Sequence, residues 1–333
     1  MVGRKAFIMD LAVLEQTVDI NILPLLRRVE QRLYEVAVAP NKIGEMISHI
    51  IKAGGKRLRP LLVLLSAWRE DTDWEPVIDV AAAAELLHTA SLIHDDIIDR
   101  AESRRGLPTI SKLYGNHAAV MAGDYLFARA VTLLSKNSTS CTLPLMAESI
   151  QSMCEGIIEE NASLFDYRIN EEDYLSRIYK KTASLVAACC GSGALVSGAP
   201  KEKVAAMMDF GRYLGLSYQI VDDILDLISD NETLGKPAGS DLSQGILTLP
   251  VIYLLEHPHC RNRIKEILAK HSCTTADIDY VRNAAYQNAA ISRAYCKARG
   301  FQEKARKCLY SLAFSPAHTL LDNITYMVIN RSH

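Results

Sequence analysis

The sequence predicts an all-α protein, and three observations support this fold class. Apolar residues recur every three to four positions through most of the 333 residues, which is the period of an amphipathic helix. Alternating apolar and polar runs, which are typical of strands, are nearly absent. The 17 glycines and 11 prolines fall mainly between the periodic segments. Because no break in composition interrupts this pattern, we expect a single domain over residues 1–333.

Helical periodicity in the first part of the chain predicts helices, in order, at Leu11–Val38, Lys42–Lys52, Leu61–Arg69, Trp74–Asp99 and Asn116–Ser135. Pro24 is expected to kink or break the first helix, because proline lacks an amide hydrogen and crowds the preceding turn. Alanine at four consecutive positions in the fourth helix lets neighbouring helices approach closely. Residues Ala101 to Pro108 are expected to form a loop.

In the rest of the chain the same period predicts helices at Met146–Phe165, Glu171–Gly198 and Glu202–Ile228, and then three or four more that end at Arg331. A polar segment from Ser229 to Gln244 separates the last group from the others. Long polar loops of this kind often act as lids over a binding site.

Composition and charge exclude several classes of function. The 37 basic and 39 acidic residues give a net charge of -2, which argues against nucleic acid as a partner. None of the eight cysteines forms a C-x-x-C pair, so we expect reduced thiols in a cytoplasmic protein. Acidic Asp10 comes too early for a signal peptide, and no apolar run reaches the length of about 18 residues that a membrane span needs. Contact with a membrane surface stays open.

Two clusters of aspartates carry the strongest functional signal. Asp95 and Asp96 are followed three residues later by Asp99, and the pattern returns further along the chain, each time inside an apolar helical run. Residues four apart lie on the same face of a helix, so the carboxylates of each cluster would repel one another without a cation between them. Oxygen ligands without a nearby thiolate favour magnesium over zinc. The second cluster contains Asp222, Asp223 and Asp226.

Cationic side chains near these clusters could bind phosphate. Arg104 and Arg105 follow the first cluster, and their planar guanidinium groups match phosphate oxygens. Lys56 and Arg59 belong to a basic segment after Gly54–Gly55, which the residues alone interpret equally well as a solvated helix end or as a phosphate site.

Two further residues have an ordinary structural interpretation beside a functional one. A lysine such as Lys181, midway along an apolar helix, is usually a surface residue. The uncharged run that follows it, however, places Lys181 at the entrance to an apolar region. His88 lies two helical turns before Asp95, where a core histidine is the usual interpretation.

In the order and spacing of these blocks the chain resembles the trans-isoprenyl diphosphate synthases, from near residue 45 to the C-terminus. The matching blocks are Gly54–Pro60, Ser91–Arg100, Arg104–Gly106, Lys181–Ala183, Gln219–Asp226 and Leu234–Pro237. The resemblance implies the isoprenoid synthase fold, with roughly a dozen helices around a central cavity. It also implies a magnesium-dependent prenyltransferase that joins isopentenyl diphosphate to an allylic diphosphate, usually as a homodimer.

The resemblance assigns a role to each matching residue. Asp95, Asp99 and Asp222 would bind magnesium, supported by Asp96 and Asp226. The allylic diphosphate would be bound by Arg104, Lys181 and Lys236, beside Thr182 and Gln219. The diphosphate of isopentenyl diphosphate would be bound by Lys56, Arg59, His88 and Arg105. In this family the departing diphosphate is thought to take up the proton, so no protein nucleophile is needed.

The chain departs from the family pattern at two places. Ile246 occupies a position that usually holds lysine, so one cation near the allylic diphosphate is missing. The segment Gly156–Glu160 reads Gly-Ile-Ile-Glu-Glu where Gly-Glu-x-x-Gln is usual, and we expect Glu160 to bind a cation or to face another group. Catalytic subunits of heptaprenyl-type synthases also tend to lack that lysine, which favours a comparison with them.

Product length is predicted from the residues before the first cluster. Ser91, Ala90 and Leu87 lie four, five and eight positions before Asp95, and the small residues leave room for a growing chain. We therefore expect a long-chain, heptaprenyl-like product. A farnesyl or geranylgeranyl diphosphate synthase, a non-catalytic partner subunit and a terpene cyclase are the alternatives. The resemblance also leaves open a small regulatory subunit and membrane contact during product release.

Overall fold

The structure is a computed structural model that describes residues 22–37, 41–228 and 239–330. Lys236 and the start of the first predicted helix lie outside these residues. The described chain is almost wholly helical, which confirms the predicted all-α class. Its helices are α1 Leu23–Ala37, α2 Lys42–Ala53, α3 Leu58–Ser66, α4 Trp74–Ile98, α5 Ile110–Tyr114, α6 Asn116–Leu134, α7 Leu143–Ala162, α8 Glu171–Ile178, α9 Ser184–Val196, α10 Lys201–Ile228, α11 Ser240–Ser243, α12 Leu249–Glu256, α13 Pro258–Leu268, α14 Thr275–Gln287, α15 Ala290–Tyr310 and α16 Pro316–Asn330.

Pro24 is the second residue of α1, where a first-turn amide needs no helical partner, and the part of the predicted helix before residue 22 lies outside the described residues. Two details differ from the sequence predictions. The loop before α5 contains a hairpin of two antiparallel two-residue strands, β1 Ser103–Arg104 and β2 Leu107–Pro108. Five helices follow the polar segment instead of three or four, since the chain breaks at His257–Pro258 and again at Ala289, which has a φ of 55°.

The chain divides into two compact units, and the single-domain organisation stays a prediction. The first unit contains the residues up to Ala147 together with Ala188–Met208 and Ala313–Leu321. The second contains Glu148–Ala187, Asp209–Leu312 and the chain from Asp322 onward. The first Asp cluster lies in the first unit, and the second cluster lies in the second unit.

Helix α4 is the central element of the first unit. Its residues Ala81–Ala84 are fully buried, and the helix packs against α1, α3 and α6. Gly123 of α6 allows this close packing, because a Cβ atom there would lie 2.1 Å from Nε2 of His94. By length and composition α4 could span a membrane, but 78% of its apolar window is buried, as in the core helix of a soluble protein. This packing fixes the helix that carries the first Asp cluster.

The second unit has its own apolar core, formed by α8, α10 and α12–α15. Phe301, Ile220 and Leu254 are among its buried residues. Gly215 of α10 permits close contact with the segment after α8, since a Cβ atom there would lie 2.6 Å from Cα of Ala183. The core therefore fixes α10, which carries the second Asp cluster, against the segment that contains Lys181.

Candidate active site

The first Asp cluster lies at the C-terminal end of α4. The helix begins at Trp74, directly after the N-cap residue Asp73, whose side chain accepts a hydrogen bond from the amide of Glu75, and it ends at Ile98. Asp95 is partly buried in the last turn, and Asp99 is exposed directly after the helix end. Buried Asp96 accepts a 2.7 Å hydrogen bond from Nε of Arg104, which holds the following hairpin against the cluster.

The hairpin after α4 positions the two predicted arginines. Arg105 and Gly106 form its turn with φ values of 54° and 76°, a backbone conformation that favours glycine. The Arg105 guanidinium lies directly over Gly55, where a Cβ atom would come within 2.8 Å of Nη1. The glycine of the basic segment therefore makes room for an arginine some fifty residues later in the chain.

His88 and a group of arginines form a cationic site in the first unit. Removal of water from the ring, and then the charges of Arg59, Arg105 and Arg104, lower the pKa of His88 well below its usual value. Nε of Arg59 is buried and has no hydrogen-bond partner among the described residues. Clustered cations with an unsatisfied buried donor fit an anionic ligand. The structure thus places Arg59, Arg104 and Arg105 near His88, while Lys56 is exposed.

Arg57 has a different role from its neighbours in the basic segment. It adopts a φ of 52° before α3 and forms ion pairs with Glu30 and Glu85, the latter at 2.7 Å. These carboxylates raise its pKa against the effect of burial. Because its charge is compensated inside the protein, we interpret Arg57 as a structural residue.

The second Asp cluster lies in α10 and joins a buried hydrogen-bond network. Oγ1 of Thr182 donates a 2.8 Å hydrogen bond to Oε1 of Gln219. Gln219 in turn donates to Oδ1 of Asp223 at 2.7 Å, and the Tyr174 hydroxyl donates to Oδ2 at 2.6 Å. The Asp223 carboxylate is therefore buried and hydrogen-bonded inside the protein, while Asp222 and Asp226 are partly exposed. The network fixes the orientation of both Thr182 and Gln219.

A π-helical segment, Tyr179–Ala183, carries Lys181 and Thr182. It interrupts the long helix predicted at Glu171–Gly198 and separates α8 from α9. Such segments occur frequently at functional sites, because the extra residue changes the direction of side chains on one turn. Gly156 of α7 packs against this segment, and a Cβ atom there would lie 2.9 Å from the amide nitrogen of Lys181.

Lys181 lies in a pocket that is lined mainly by polar side chains. Glu160 forms ion pairs with Lys181 at 2.5 Å and with Arg177 at 3.8 Å. This confirms the expectation that Glu160 binds a cation. Ile246 also lines the pocket. The lysine that the family usually has at this position would therefore have been part of the pocket wall. The lining residues are Glu160, Arg177, Ile178, Lys181, Thr182, Gln219, Asp223, Asp241 and Ile246.

The segment before α12 brings Asp241 into this pocket. Gly245, with a φ of 83°, packs against the ring of Phe165, whose amide donates to the Gly245 carbonyl at 2.8 Å. The amide of Asp241 donates to Oδ2 of Asp226. Burial, and then the nearby carboxylates of Asp223 and Asp226, raise the pKa of Asp241.

The carboxyl groups with raised pKa values bear on whether a metal ion would fit the second unit. Burial also raises the pKa of Asp223. The pocket wall carries the carboxyl groups of Glu160, Asp223 and Asp241 but only the two cations Arg177 and Lys181. In residues 22–37, 41–228 and 239–330 no three acidic, histidine or cysteine side chains converge as a complete metal site. Magnesium commonly binds one or two carboxylates and completes its shell with water and substrate phosphate. The oxygen donors therefore fit magnesium that binds together with a diphosphate.

Sequence reasoning missed several residues of this site. Arg177, Tyr174 and Asp241 had no assigned role. The spacing of Arg177 and Lys181, four residues apart, was a usable signal for a shared helix face. Tyr174 gave no such signal, because its contact with Asp223 joins residues 49 positions apart. Lys236 lies outside the described residues.

Comparisons with known proteins agree with this geometry. Residues 40–285 match the family described as Polyprenyl synthetase. The chain is 41% identical over 293 residues to heptaprenyl diphosphate synthase component 2 of Geobacillus stearothermophilus, covering 87% of this chain and 90% of that protein. A decaprenyl diphosphate synthase structure from Rhodobacter capsulatus matches with a TM-score of 0.88 and 31% identity, covering 96% of this chain and 98% of that one.

A third relative carries ligands. A polyprenyl synthase from Caulobacter crescentus CB15, described as complexed with calcium and isoprenyl diphosphate, matches with a TM-score of 0.88 and 29% identity, covering 96% of this chain and 97% of that chain. The family match, which spans most of the chain, confirms the fold and the prenyltransferase class that the resemblance predicts. The chain therefore belongs to the polyprenyl synthetase family.

Proposed function

We propose that this chain is a magnesium-dependent prenyltransferase that makes a long-chain, all-trans polyprenyl diphosphate of heptaprenyl-like length. It joins an allylic diphosphate to isopentenyl diphosphate. The observation that carries the reaction is the presence of one cationic site in each unit. His88 and its arginines form the first, and Lys181 with Arg177 forms the second. Two diphosphate substrates need two such sites.

The residues of the second unit act on the allylic substrate in this proposal. Lys181 binds its diphosphate, and Thr182 and Gln219 lie beside the carbon at which the carbon–oxygen bond breaks. Thr182 donates a hydrogen bond to Gln219, and Gln219 donates one to Asp223, so both side chains are held in place before the substrate arrives. Asp95 and Asp99 in the first unit and Asp222 in the second would hold magnesium, which would supply positive charge to offset the negative charge on the departing diphosphate. Lys236 belongs to the same proposed set.

The residues of the first unit hold isopentenyl diphosphate. Arg59, Arg105 and Lys56 bind its diphosphate, and neutral His88 donates one hydrogen bond. The double bond of this substrate forms the new carbon–carbon bond with the allylic carbon. The proton that is then lost passes to the departing diphosphate, so that no protein base is required.

Substrate-specific kinetics test the two assignments. Arg59→Ala should raise the KM for isopentenyl diphosphate more than the KM for the allylic substrate, and Lys181→Ala should do the reverse. Loss of one charge-assisted phosphate contact costs about 2–4 kcal/mol. If each variant changed both KM values equally, the assignment of one substrate to each site would be wrong.

We propose long products because small residues occupy the positions of α4 just before the first Asp cluster, where the growing chain would lie. Ala90 and Ser91 are buried in α4, one turn before Asp95, and Leu87 is buried one turn further. One helical turn rises by about 5.4 Å, which is comparable with one isoprene unit. The named relatives from Geobacillus and Rhodobacter, which are heptaprenyl and decaprenyl synthases, support the same proposal.

A homodimer is also proposed, through the face formed by α5 and α6. Exposed apolar side chains concentrate there and would be removed from water by a second copy of the chain. They are Leu113, Tyr114, Val120, Met121 and Val131. Met121→Asp should shift the protein toward monomers in sedimentation analysis. An unchanged dimer would place the interface elsewhere.

The Geobacillus relative is named as one component of a synthase, which supports a small regulatory subunit as a further partner. We propose that the chain acts in the cytoplasm and contacts a membrane surface when it releases its apolar product.

A further inference from the structure

Glu160 forms an ion pair with the lysine that is proposed to bind the allylic diphosphate. Its Oε1 atom lies 2.5 Å from Nζ of Lys181, a distance that requires a direct charge-assisted contact. The Glu160 side chain is 14% exposed, and that of Lys181 is 38% exposed. The carboxylate therefore occupies the inner side of the lysine ammonium, while solvent or a ligand reaches the outer side.

Arg177 keeps this carboxylate in place. Its side chain is 6% exposed, and Nη2 donates a 2.6 Å hydrogen bond to the Leu247 carbonyl. Nε lies 3.8 Å from Oε2 of Glu160, within ion-pair distance but too far for a hydrogen bond. Because Arg177 is buried and bound to backbone, it attracts one oxygen of the Glu160 carboxylate while Lys181 contacts the other.

Apart from Arg177, the pocket wall adds no cation that compensates for this negative charge. Asp223 and Asp241 also line the pocket, and Ile246 supplies no cation from the opposite segment. Glu160 itself is among the charges that raise the pKa of Asp241. A diphosphate bound to Lys181 would therefore meet a fixed carboxylate that already shares the same ammonium group.

From this geometry we infer that Glu160 is an internal competitor of the allylic diphosphate for Lys181 and sets a weak affinity for that substrate. The inference rests on the proposed role of Lys181. The elongated product carries the same diphosphate group, so the carboxylate weakens the binding of starter and product alike.

The adjacent pair Glu159–Lys180 offers a matched control. Glu159 also forms an ion pair with a lysine of the π-helical segment, but both residues are absent from the pocket wall. Glu159→Gln removes the same charge one residue away from Glu160. A change that is specific to Glu160 therefore cannot be explained by the general reduction in negative charge.

Equilibrium binding of farnesyl diphosphate with magnesium, measured by calorimetry without isopentenyl diphosphate, tests the inference. No elongation can occur under these conditions. Glu160→Gln and Glu160→Ala should each bind the ligand on the order of tenfold more tightly than the wild type. Glu159→Gln should change the dissociation constant by less than about twofold. Binding of isopentenyl diphosphate should be the same in all of these proteins.

The outcomes separate this inference from the proposed function. Unchanged or weaker binding by both Glu160 variants would overturn the inference, and so would an equal gain in Glu159→Gln. Lys181→Ala provides the remaining distinction. If it binds farnesyl diphosphate as tightly as the wild type, the proposed site of the allylic substrate is wrong. If it binds weakly while the Glu160 variants bind no better, only the competitor role is lost.

Discussion

Thr182 donates a hydrogen bond to Gln219, and through Gln219 it is joined to the buried carboxylate of Asp223. The network makes Asp223 a positioning residue, although it belongs to the aspartate motif. It also explains why Tyr174, at the start of the segment that leads to Lys181, is fully buried beside it. The orientation of two residues at the proposed reaction centre thus depends on a tyrosine hydroxyl outside every recognised motif.

Tyr174→Phe tests this dependence. Loss of the hydroxyl removes a 2.6 Å hydrogen bond and leaves one oxygen of Asp223 without this donor. We expect the free energy of unfolding to fall by about 1–3 kcal/mol and kcat to fall with a smaller change in KM. Urea unfolding and steady-state kinetics measure the two effects. Tyr286→Phe, at an exposed tyrosine, is the control. Equal stability and kcat in the two variants would contradict the role of the network.

Gly55→Ala tests the contact between the basic segment and the hairpin. A methyl group at Gly55 would lie 2.8 Å from Nη1 of Arg105 and would displace its guanidinium. We expect an increase of about tenfold in the KM for isopentenyl diphosphate. Gly300→Ala is the control, because a Cβ atom there has no neighbour within 4 Å. An unchanged KM in Gly55→Ala would show that Arg105 does not bind this substrate.

The low pKa of His88 predicts a pH dependence of stability. Folding keeps His88 neutral, whereas the unfolded chain takes up a proton below a pH of about 6.5. The unfolding free energy should therefore be at its full value above that pH and should fall as the pH decreases toward the folded pKa. The fall attributable to His88 is at most about 1.4 kcal/mol per pH unit.

Urea unfolding of the wild type and of His88→Gln between pH 7.5 and about pH 5 measures the contribution of His88 to the unfolding free energy. The slope of stability against pH should be smaller in the variant. Comparing slopes, not absolute stabilities, corrects for any packing defect that the substitution introduces. Identical slopes would mean that His88 titrates normally in the folded protein.

Product length depends on Ala90 in the proposed function. Ala90 is fully buried in α4, five residues before Asp95. Ala90→Tyr should shorten the main product to about fifteen to twenty carbons while turnover continues, because the ring would fill the space of one or two helical turns. Thin-layer chromatography of the dephosphorylated products gives the length. A mutant that makes the wild-type length would place the product path away from this face of α4.

The sequence predicted what depends on local spacing and missed what depends on tertiary contact. Helical periodicity gave α2 and α10 to within a residue or two, and the spacing of the aspartates was enough to locate both clusters on their helices. The ion-pair partner of Lys181 could not be predicted from local spacing, since Glu160 lies 21 residues earlier on another helix. The two-residue strands of the hairpin are too short for any alternating pattern to reveal them.

The separate role of Arg57 shows the same limit. Arg57 and Arg59 lie in one basic segment and have the same chemistry. The carboxylates of Glu30 and of buried Glu85, which lie 27 residues earlier and 28 residues later in the chain, assign Arg57 to the core. The departures at Ile246 and Glu160 were visible in the sequence, but their presence in one pocket wall was not.

The most direct test of the proposed reaction is elongation of farnesyl diphosphate by radiolabelled isopentenyl diphosphate, with magnesium or with excess chelator. The wild type is compared with Asp95→Ala, Asp222→Ala and, as a control, Asp71→Ala at an exposed position. The proposal predicts magnesium-dependent products longer than about twenty carbons from the wild type and the control. It also predicts a loss of several orders of magnitude in both cluster variants, with an unchanged helical circular dichroism spectrum. Elongation that persists in chelator, near-normal turnover by either cluster variant, or no transfer by the wild type would contradict it.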